Sequence, residues 1–167
     1  AGRLPRLVGV GVAALELAQQ RMAPGGIVAS ATAADTTGAW QIAPQIENFR
    51  QLRGSIDGGT LSYRFDVPSD GVYDVYVHHR GGPDHTRAAD YIDPTRDALL
   101  ATVDQSDPNL RGWIKLGSIQ ARRGANQELL RLEANEPNAN RVTFGGDAML
   151  LINRRQSPNA AFPDFIP

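Results

Sequence analysis

The chain has 167 residues, 41% of them hydrophobic and 21% charged, and its formal net charge is −1. This length and composition indicate one globular domain with a buried core and an arm at either end. The near-neutral charge argues against nucleic-acid binding, the absence of cysteine excludes disulfides and thiolate chemistry, and no apolar stretch is long enough for a transmembrane segment.

Residues 1–26 show the spacing of an amphipathic helix. Leu4, Leu7 and Leu15 fall near one helical face, and the Pro-Gly-Gly sequence at 24–26 ends the pattern. We therefore predict an N-terminal helical arm over residues 1–26. Packing on its own domain, docking onto another protein and attachment to a membrane surface are the roles left open. The three leucines are candidate partner-binding residues.

The stretch 27–153 carries β patterns. Thr60–Val67 has apolar residues at every second position, which is typical of a strand with one face in water. Pro68–Gly71 has the composition of a turn, and Val72–Arg80 is rich in β-branched and aromatic residues. Together these segments predict a β-hairpin.

Further strands are predicted along the same stretch, and Ala148–Ile152 is apolar throughout, as expected of a central buried strand. Turn signals at intervals of roughly 8–12 residues favour a sandwich or barrel. We expect a mainly β fold, a jelly-roll-like antiparallel β-sandwich with an N-terminal helix and an extended C-terminal arm. The additional strands are expected at 26–30, 38–43, 98–105, 112–119, 128–135 and 141–153.

Residues 154–167 have three prolines and no periodicity, which argues against a helix or a central strand. We predict an extended arm here. Phe162, Phe165 and Ile166 are too apolar for a tail in water, so they are candidate partner-binding residues, on this domain or on a neighbour.

Six motifs follow one another in a recognisable order: DTTGAW, SYRFDVPSDGVYDVYVHHRGG, ADYID, TVDQ, GWIKLGSIQARRG and GGDAMLLIN. In this order they resemble the golvesin-like module, also described as the xanthan lyase carbohydrate-binding-type domain, over roughly residues 27–153. The resemblance implies a jelly-roll-like β-sandwich, usually a non-catalytic module of secreted enzymes or cell surfaces, whose assumed ligand is a polysaccharide. It identifies no shared binding site whose residues could be assigned to positions of this sequence. The two arms lie outside it and no catalytic domain is recognised beside it, so we expect an independent subunit.

All three histidines lie between Val77 and His85. His78 and His79 are adjacent on a predicted strand, so they should face opposite sides of the sheet, with His78 on the more polar side. His79 and His85, beside Asp84, are the alternative candidates for a partial metal site. Ordinary structural roles are favoured, and no metal is predicted.

The segment from Thr86 to Asp97 reads as a loop in which an aromatic ring has charged neighbours. Tyr91, Arg87 and Asp93 are therefore the candidate ligand-binding residues, because exposed aromatic rings can stack on sugars.

We expect structural rather than ligand-binding or catalytic roles for the remaining aromatic and acidic residues. Trp40 and Trp113 lie in strand-like contexts and are expected in the core. Acidic pairs such as Asp66 with Asp70 lie on turns, where solvated carboxylates are more common than glycosidase pairs. No cofactor is predicted, with a structural calcium ion near Asp35 as the alternative.

These observations favour a non-catalytic docking subunit that binds a larger extracytoplasmic or surface assembly through its arms and sandwich face. The alternative is a carbohydrate-binding module that recognises a polysaccharide. An extracytoplasmic location, whether periplasmic, cell-surface or secreted, is expected in either case.

Overall fold

A computed structural model describes residues 26–42, 46, 48–53, 59–79, 81–110, 112–134 and 142–155. Apart from one 3₁₀ turn at Ala31–Ala33, the regular structure in these ranges is β. The strands are β1 Gly26–Ala29, β2 Asp35–Thr37, β3 Gln41–Ile42, β4 Arg50–Arg53, β5 Thr60–Val67, β6 Gly71–His79, β7 Ala89–Asp93, β8 Ala98–Val103, β9 Gly112–Ala121, β10 Gly124–Glu133, β11 Thr143–Gly146 and β12 Met149–Asn153.

Two larger antiparallel sheets pack face to face. One has the strand order β1-β12-β6-β9, and the other has the order β2-β5-β10-β7-β8. A smaller sheet, β11-β4-β3, completes the architecture of the described residues. The predicted mainly β, sandwich-like fold is confirmed.

The core lies between the two larger sheets because alternating side chains of their strands point inward. In β5 the apolar positions 61, 63, 65 and 67 are buried, as the period-2 pattern predicts. Strand β12 is buried at every position because it lies between β1 and β6. Its unbroken apolar sequence identified it correctly as a central strand.

Two predicted segments differ from the structure. The segment expected as a loop contains β7, which pairs with both β8 and β10. The closing strand expected at 141–153 is two strands in different sheets, since β11 ends at Gly146 and β12 begins at Met149. Asp147 and Ala148 make the connection.

The predicted arms lie almost entirely outside the described residues. Of the N-terminal arm, 1–26, only Gly26 is described, and it begins β1 rather than ending a helix. Of the C-terminal arm, 154–167, only Arg154 and Arg155 are described, in a turn. Within the described ranges there is no helix of the length and apolarity required to cross a bilayer.

The strands leave the sandwich with two chemically different ends. The turns at 68–70, 94–97 and 122–123 lie together at one end, which we call the turn end. Strand β6 runs from there to His78 and His79 at the opposite end, the histidine end, where His85 also lies.

Candidate functional site

His78 has a buried hydrogen-bond partner at the histidine end. Its side chain is 3% exposed, and Nδ1 lies 2.9 Å from Oδ2 of Asp147. Because a carboxylate only accepts, Nδ1 carries the hydrogen. The indole of Trp113 packs edge-on against the imidazole, with 5.2 Å between ring centroids. The burial of His78 shows that the face of β6 predicted to be the more polar one is covered at this end.

Asp147 also organises the chain around it. Its Oδ1 accepts from the backbone N–H of Ala148 at 2.7 Å, and its carbonyl accepts from the hydroxyl of Tyr63 at 2.8 Å. Burial raises the pKa of Tyr63 well above the ordinary tyrosine value. The Asp-Ala motif of the sequence is therefore a structural junction between β11 and β12.

Gln105 forms a second buried junction. Its Nε2 donates to the carbonyl of Gly145 at 2.7 Å, and its Oε1 accepts from the N–H of the same residue at 2.8 Å. The side-chain amide thus pairs with β11 as a neighbouring strand would, which is a structural role for the Val-Asp-Gln motif.

His79 and His85 share the histidine end without forming a metal site in the described part of the chain. Burial, followed by the nearby His78 and His85, lowers the pKa of His79. His85 Nδ1 lies 3.2 Å from Oδ1 of Asp84. No set of three His, Asp or Glu side chains that could hold a metal occurs in the described ranges.

The structure separates the three predicted ligand-binding residues. Tyr91 is 2% exposed, because β7 points residues 89, 91 and 93 inward, so its ring offers no stacking surface. Burial raises the pKa of Tyr91, and Nε2 of Gln105 lies 3.4 Å from its hydroxyl oxygen. Arg87 is exposed at the histidine end, and Asp93 is buried near the turn end. They do not form one site.

A concavity lined by polar side chains lies at the turn end instead. It is a half-open cleft of about 550 Å³, within the range of roughly 300–1,000 Å³ typical of small-molecule sites. Hydrogen-bonding side chains line it from three turns that are distant in sequence and from the adjoining ends of β9 and β10. Those chiefly involved are Asp70, Thr95, Arg96, Gln120, Arg122 and Gln127.

The β7–β8 turn positions Arg96 over this cleft. Asp93 Oδ1 accepts from the N–H of Thr95 at 3.0 Å, which fixes the turn. Its Oδ2 lies 3.5 Å from Nη1 of Arg96, while Nη2 of Arg96 donates to Oε1 of Gln120 at 2.7 Å. Asp93 is therefore a positioning residue for this wall of the cleft.

Two further turns are held by side-chain hydrogen bonds. The hydroxyl of Tyr73 donates to the carbonyl of Ser69 at 2.7 Å, so the Pro-x-x-Gly-x-Tyr motif anchors its own turn. Asp70 Oδ1 then accepts from the backbone N–H of Arg123 at 2.6 Å and connects that turn to the β9–β10 connection. The amide of Gln127 donates to the carbonyls of residues 122 and 124. The cleft walls are thus held in place without a ligand.

The described lining of the cleft contains no Trp, Tyr or Phe, and Asp70 is its only carboxylate. The arrangement can donate and accept several hydrogen bonds and carries two guanidinium groups. The described part of the lining holds neither a pair of carboxylates nor a Ser, Cys or His side chain.

Sequence reasoning missed this cleft, although the segment singled out as a ligand region contains Thr95 and Arg96. The sequence does not show the sheet topology that brings these turns together. Only the strand directions show that the turns after β5, β7 and β9 meet at one end. Arg122 and Gln120 could have been found by requiring that these connections share an end.

The remaining predicted residues take structural places or lie outside the described ranges. Trp113 is fully buried and Trp40 packs against the core, as predicted. Asp35 pairs with Arg64, whose Nε lies 2.6 Å from Oδ2, and the calcium alternative stays a prediction. The six partner-binding candidates lie outside the described residues: Leu4, Leu7, Leu15, Phe162, Phe165 and Ile166.

Comparisons with known proteins place this geometry in context. Residues 27–151 match the family model described as the Golvesin C-terminal domain. The fold is similar to part of Paenibacillus xanthan lyase, with a TM-score of 0.53 and 16% identity over 77% of this chain and 13% of that chain. It is also similar to the mannan-binding module from Man5C in bound conformation, with a TM-score of 0.50 and 13% identity over 75% and 97% of the two chains. A search of curated proteins found no match.

Proposed function

The chain belongs to the Golvesin C-terminal domain family, and from this premise we propose that it is a non-catalytic carbohydrate-binding module whose ligand occupies the cleft at the turn end. The family model covers about three quarters of the chain. The similar mannan-binding module is named for a polysaccharide ligand, and this chain spans nearly all of that module's length. An extracytoplasmic location, where polysaccharides are met, is part of the proposal.

The observation that carries the proposal is the cleft itself. A sugar presents many hydroxyl groups, each able to donate and accept, so a sugar site needs several polar groups at fixed positions. Arg96, Gln120 and Gln127 line one concavity. Gln120 and Gln127 already make ordered hydrogen bonds to Arg96 and to the β9–β10 turn. Such preorganisation lowers the entropic cost of binding.

A purely binding role agrees with the placement of the acidic and imidazole groups. Glycoside hydrolysis needs two carboxyl groups roughly 5–9.5 Å apart across the scissile bond. Asp70 stands alone in the described lining, and its Oδ1 accepts the N–H of Arg123. The His78–Asp147 pair lies at the opposite end and is buried against Trp113.

The docking role predicted for the terminal arms has no supporting observation in the described ranges, because its candidate residues lie outside them. Carbohydrate binding is the alternative that the fold similarity and the cleft both support.

Affinity gel electrophoresis of the purified chain in gels containing neutral and acidic polysaccharides tests the proposal. We expect at least one polymer to slow migration, and Gln120→Ala to reduce that retardation because Gln120 contributes directly to the cleft. Arg87→Ala, an exposed substitution at the histidine end, is the matched control and should bind normally. Unretarded migration in every gel, or equal retardation of the Gln120→Ala variant, would contradict the proposal.

A further inference from the structure

We propose that the cleft selects anionic polysaccharides, a refinement that rests on the carbohydrate-binding function proposed above. The shared ligand chemistry is a singly charged oxyanion on the sugar, either a carboxylate or a sulfate ester. Two guanidinium groups, Arg96 and Arg122, line the cleft, and Asp70 is the single carboxylate of its described lining. Asp93 lies 3.5 Å from Arg96 and balances that guanidinium, so the inference rests on the positions of the arginine donors and not on the net charge of the cleft.

Arg122 is the cation with the most capacity for a ligand. It is exposed at the rim of the cleft, and only its backbone carbonyl is engaged, by Nε2 of Gln127 at 2.8 Å. Its guanidinium forms no ion pair or hydrogen bond with the described residues. An arginine without a carboxylate partner presents all five N–H donors to an incoming anion.

Arg96 is partly engaged and therefore oriented. Its side chain is 48% exposed, and one terminal nitrogen donates to Gln120 while the other lies 3.5 Å from Asp93. These two contacts leave other N–H donors of the Arg96 guanidinium available to a ligand. They also restrict the rotamers of the side chain, so that less entropy is lost when a ligand binds. An oriented guanidinium with free donors can form direct hydrogen bonds to an anion at the cleft wall.

Asp70 is the group that opposes an anionic ligand. Its Oδ1 accepts from the N–H of Arg123 at 2.6 Å, so part of its charge is stabilised by that hydrogen bond. The side chain of Arg123 lines an adjacent, mainly apolar shelf of about 310 Å³ and adds a third cation to the same end. Asp66 lines the same shelf and Asp93 lies against Arg96, so the three aspartates balance the three arginines. The inference therefore rests on the guanidinium donors that Arg122 and Arg96 leave open to the cleft, and not on a net charge.

Neutral sugars would have to be held differently. An aromatic ring offers a flat apolar surface to the face of a sugar, but none lines the described cleft. Recognition must then come from hydrogen bonds and charge. The fork geometry of a guanidinium matches the paired oxygens of a carboxylate or sulfate, and such charge-assisted bonds are about twice as strong as neutral ones.

Titration calorimetry with paired probes tests this inference. The first pair is oligogalacturonate and its methyl ester, which is uncharged, and the second pair is dextran sulfate and dextran. We expect the charged member of at least one pair to bind about tenfold more tightly or better, with affinity that falls as salt is added. The Arg96→Gln and Arg122→Gln double variant should lose this preference, whereas Arg87→Gln, with its charge change at the histidine end, should keep it.

Each outcome decides a different claim. Preference for galacturonate identifies a carboxylate ligand and preference for dextran sulfate a sulfate ester, and either supports the inference if the double variant abolishes it. Equal binding of charged and neutral members would overturn the anionic selectivity and leave carbohydrate binding standing. An anionic preference that survives in the double variant would overturn the placement in this cleft. Absence of binding to all four probes and to the gel panel would overturn the proposed function itself.

Discussion

The buried pair at the histidine end yields a sharp stability prediction. Asp147→Ala removes the acceptor of two hydrogen bonds, one from Nδ1 of His78 at 2.9 Å and one from the N–H of Ala148 at 2.7 Å. Both donors are buried, so water cannot replace the lost carboxylate. The variant should therefore be strongly destabilised, although Asp147 lies far from the proposed ligand.

The magnitude follows from the groups left without a partner. Each unsatisfied buried donor costs about 1–3 kcal/mol, so two cost about 2–6 kcal/mol. A domain of this size has a total stability of about 5–15 kcal/mol, so the loss is a large fraction of it. Asp147→Asn, which keeps one acceptor oxygen, should lose distinctly less.

Urea unfolding followed by tryptophan fluorescence measures this loss, because the fully buried Trp113 contacts His78. Asp35→Ala is the control, since Asp35 has a 62% exposed side chain and its ion pair with Arg64 is at the surface. It should leave the midpoint almost unchanged. An Asp147→Ala variant that is destabilised by less than about 1 kcal/mol would refute the reasoning, because that is below the cost of even one orphaned donor.

Three further predictions follow from the same end of the sandwich. Gly146→Ala would drive a Cβ atom into Cδ1 of the fully buried Leu61, and the overpacking should cost about 1–3 kcal/mol in urea unfolding. Gln105→Ala leaves the N–H and C=O of Gly145 without their side-chain partner, so it should lower the free energy of unfolding by about 2–4 kcal/mol; an unchanged value would show that water substitutes for the amide. The folded-state pKa of His79 is below its ordinary value of 6.5, so its contribution to stability is constant above that pH and is lost as the pH falls towards the lowered pKa. Unfolding midpoints between about pH 5 and 8 should show this decline, and His79→Asn should flatten it.

The strands that the sequence identified are those whose inward positions are large and apolar. Thr60–Val67 and Ala148–Ile152 could be recognised because alternation or an unbroken apolar run is visible without the fold. Strand β7 could not, because two of its inward side chains are an alanine and an aspartate, Ala89 and Asp93. Strand β4 has a single large apolar residue, Leu52, among polar neighbours. Its pairing with β11 decides its structure, and that contact is distant in sequence.

The residues of the proposed site were harder to predict, for a related reason. Motifs such as Asp-Ala, Val-Asp-Gln and His-His attract attention, yet Asp147, Gln105 and His78 are buried structural groups. The charged cleft residues Asp70, Arg96 and Arg122 lie in ordinary turns, where charged side chains are common. Their proximity arises from strand direction and sheet order, which single-sequence patterns do not contain. Tyr91 shows the opposite error. Its charged neighbours in the sequence predicted an exposed ring, but the ring faces the core.

The most direct test of the account is an amide chemical-shift map of the intact chain titrated with the best-bound oligosaccharide. The central claim is that the ligand occupies the turn end. We predict that the shifts concentrate at residues 70–72, 95–96, 120–122, 127 and 129, with little change around His78, His79 and His85. Shifts concentrated at the histidine end, or spread evenly over the sandwich with the turn end unaffected, would contradict it.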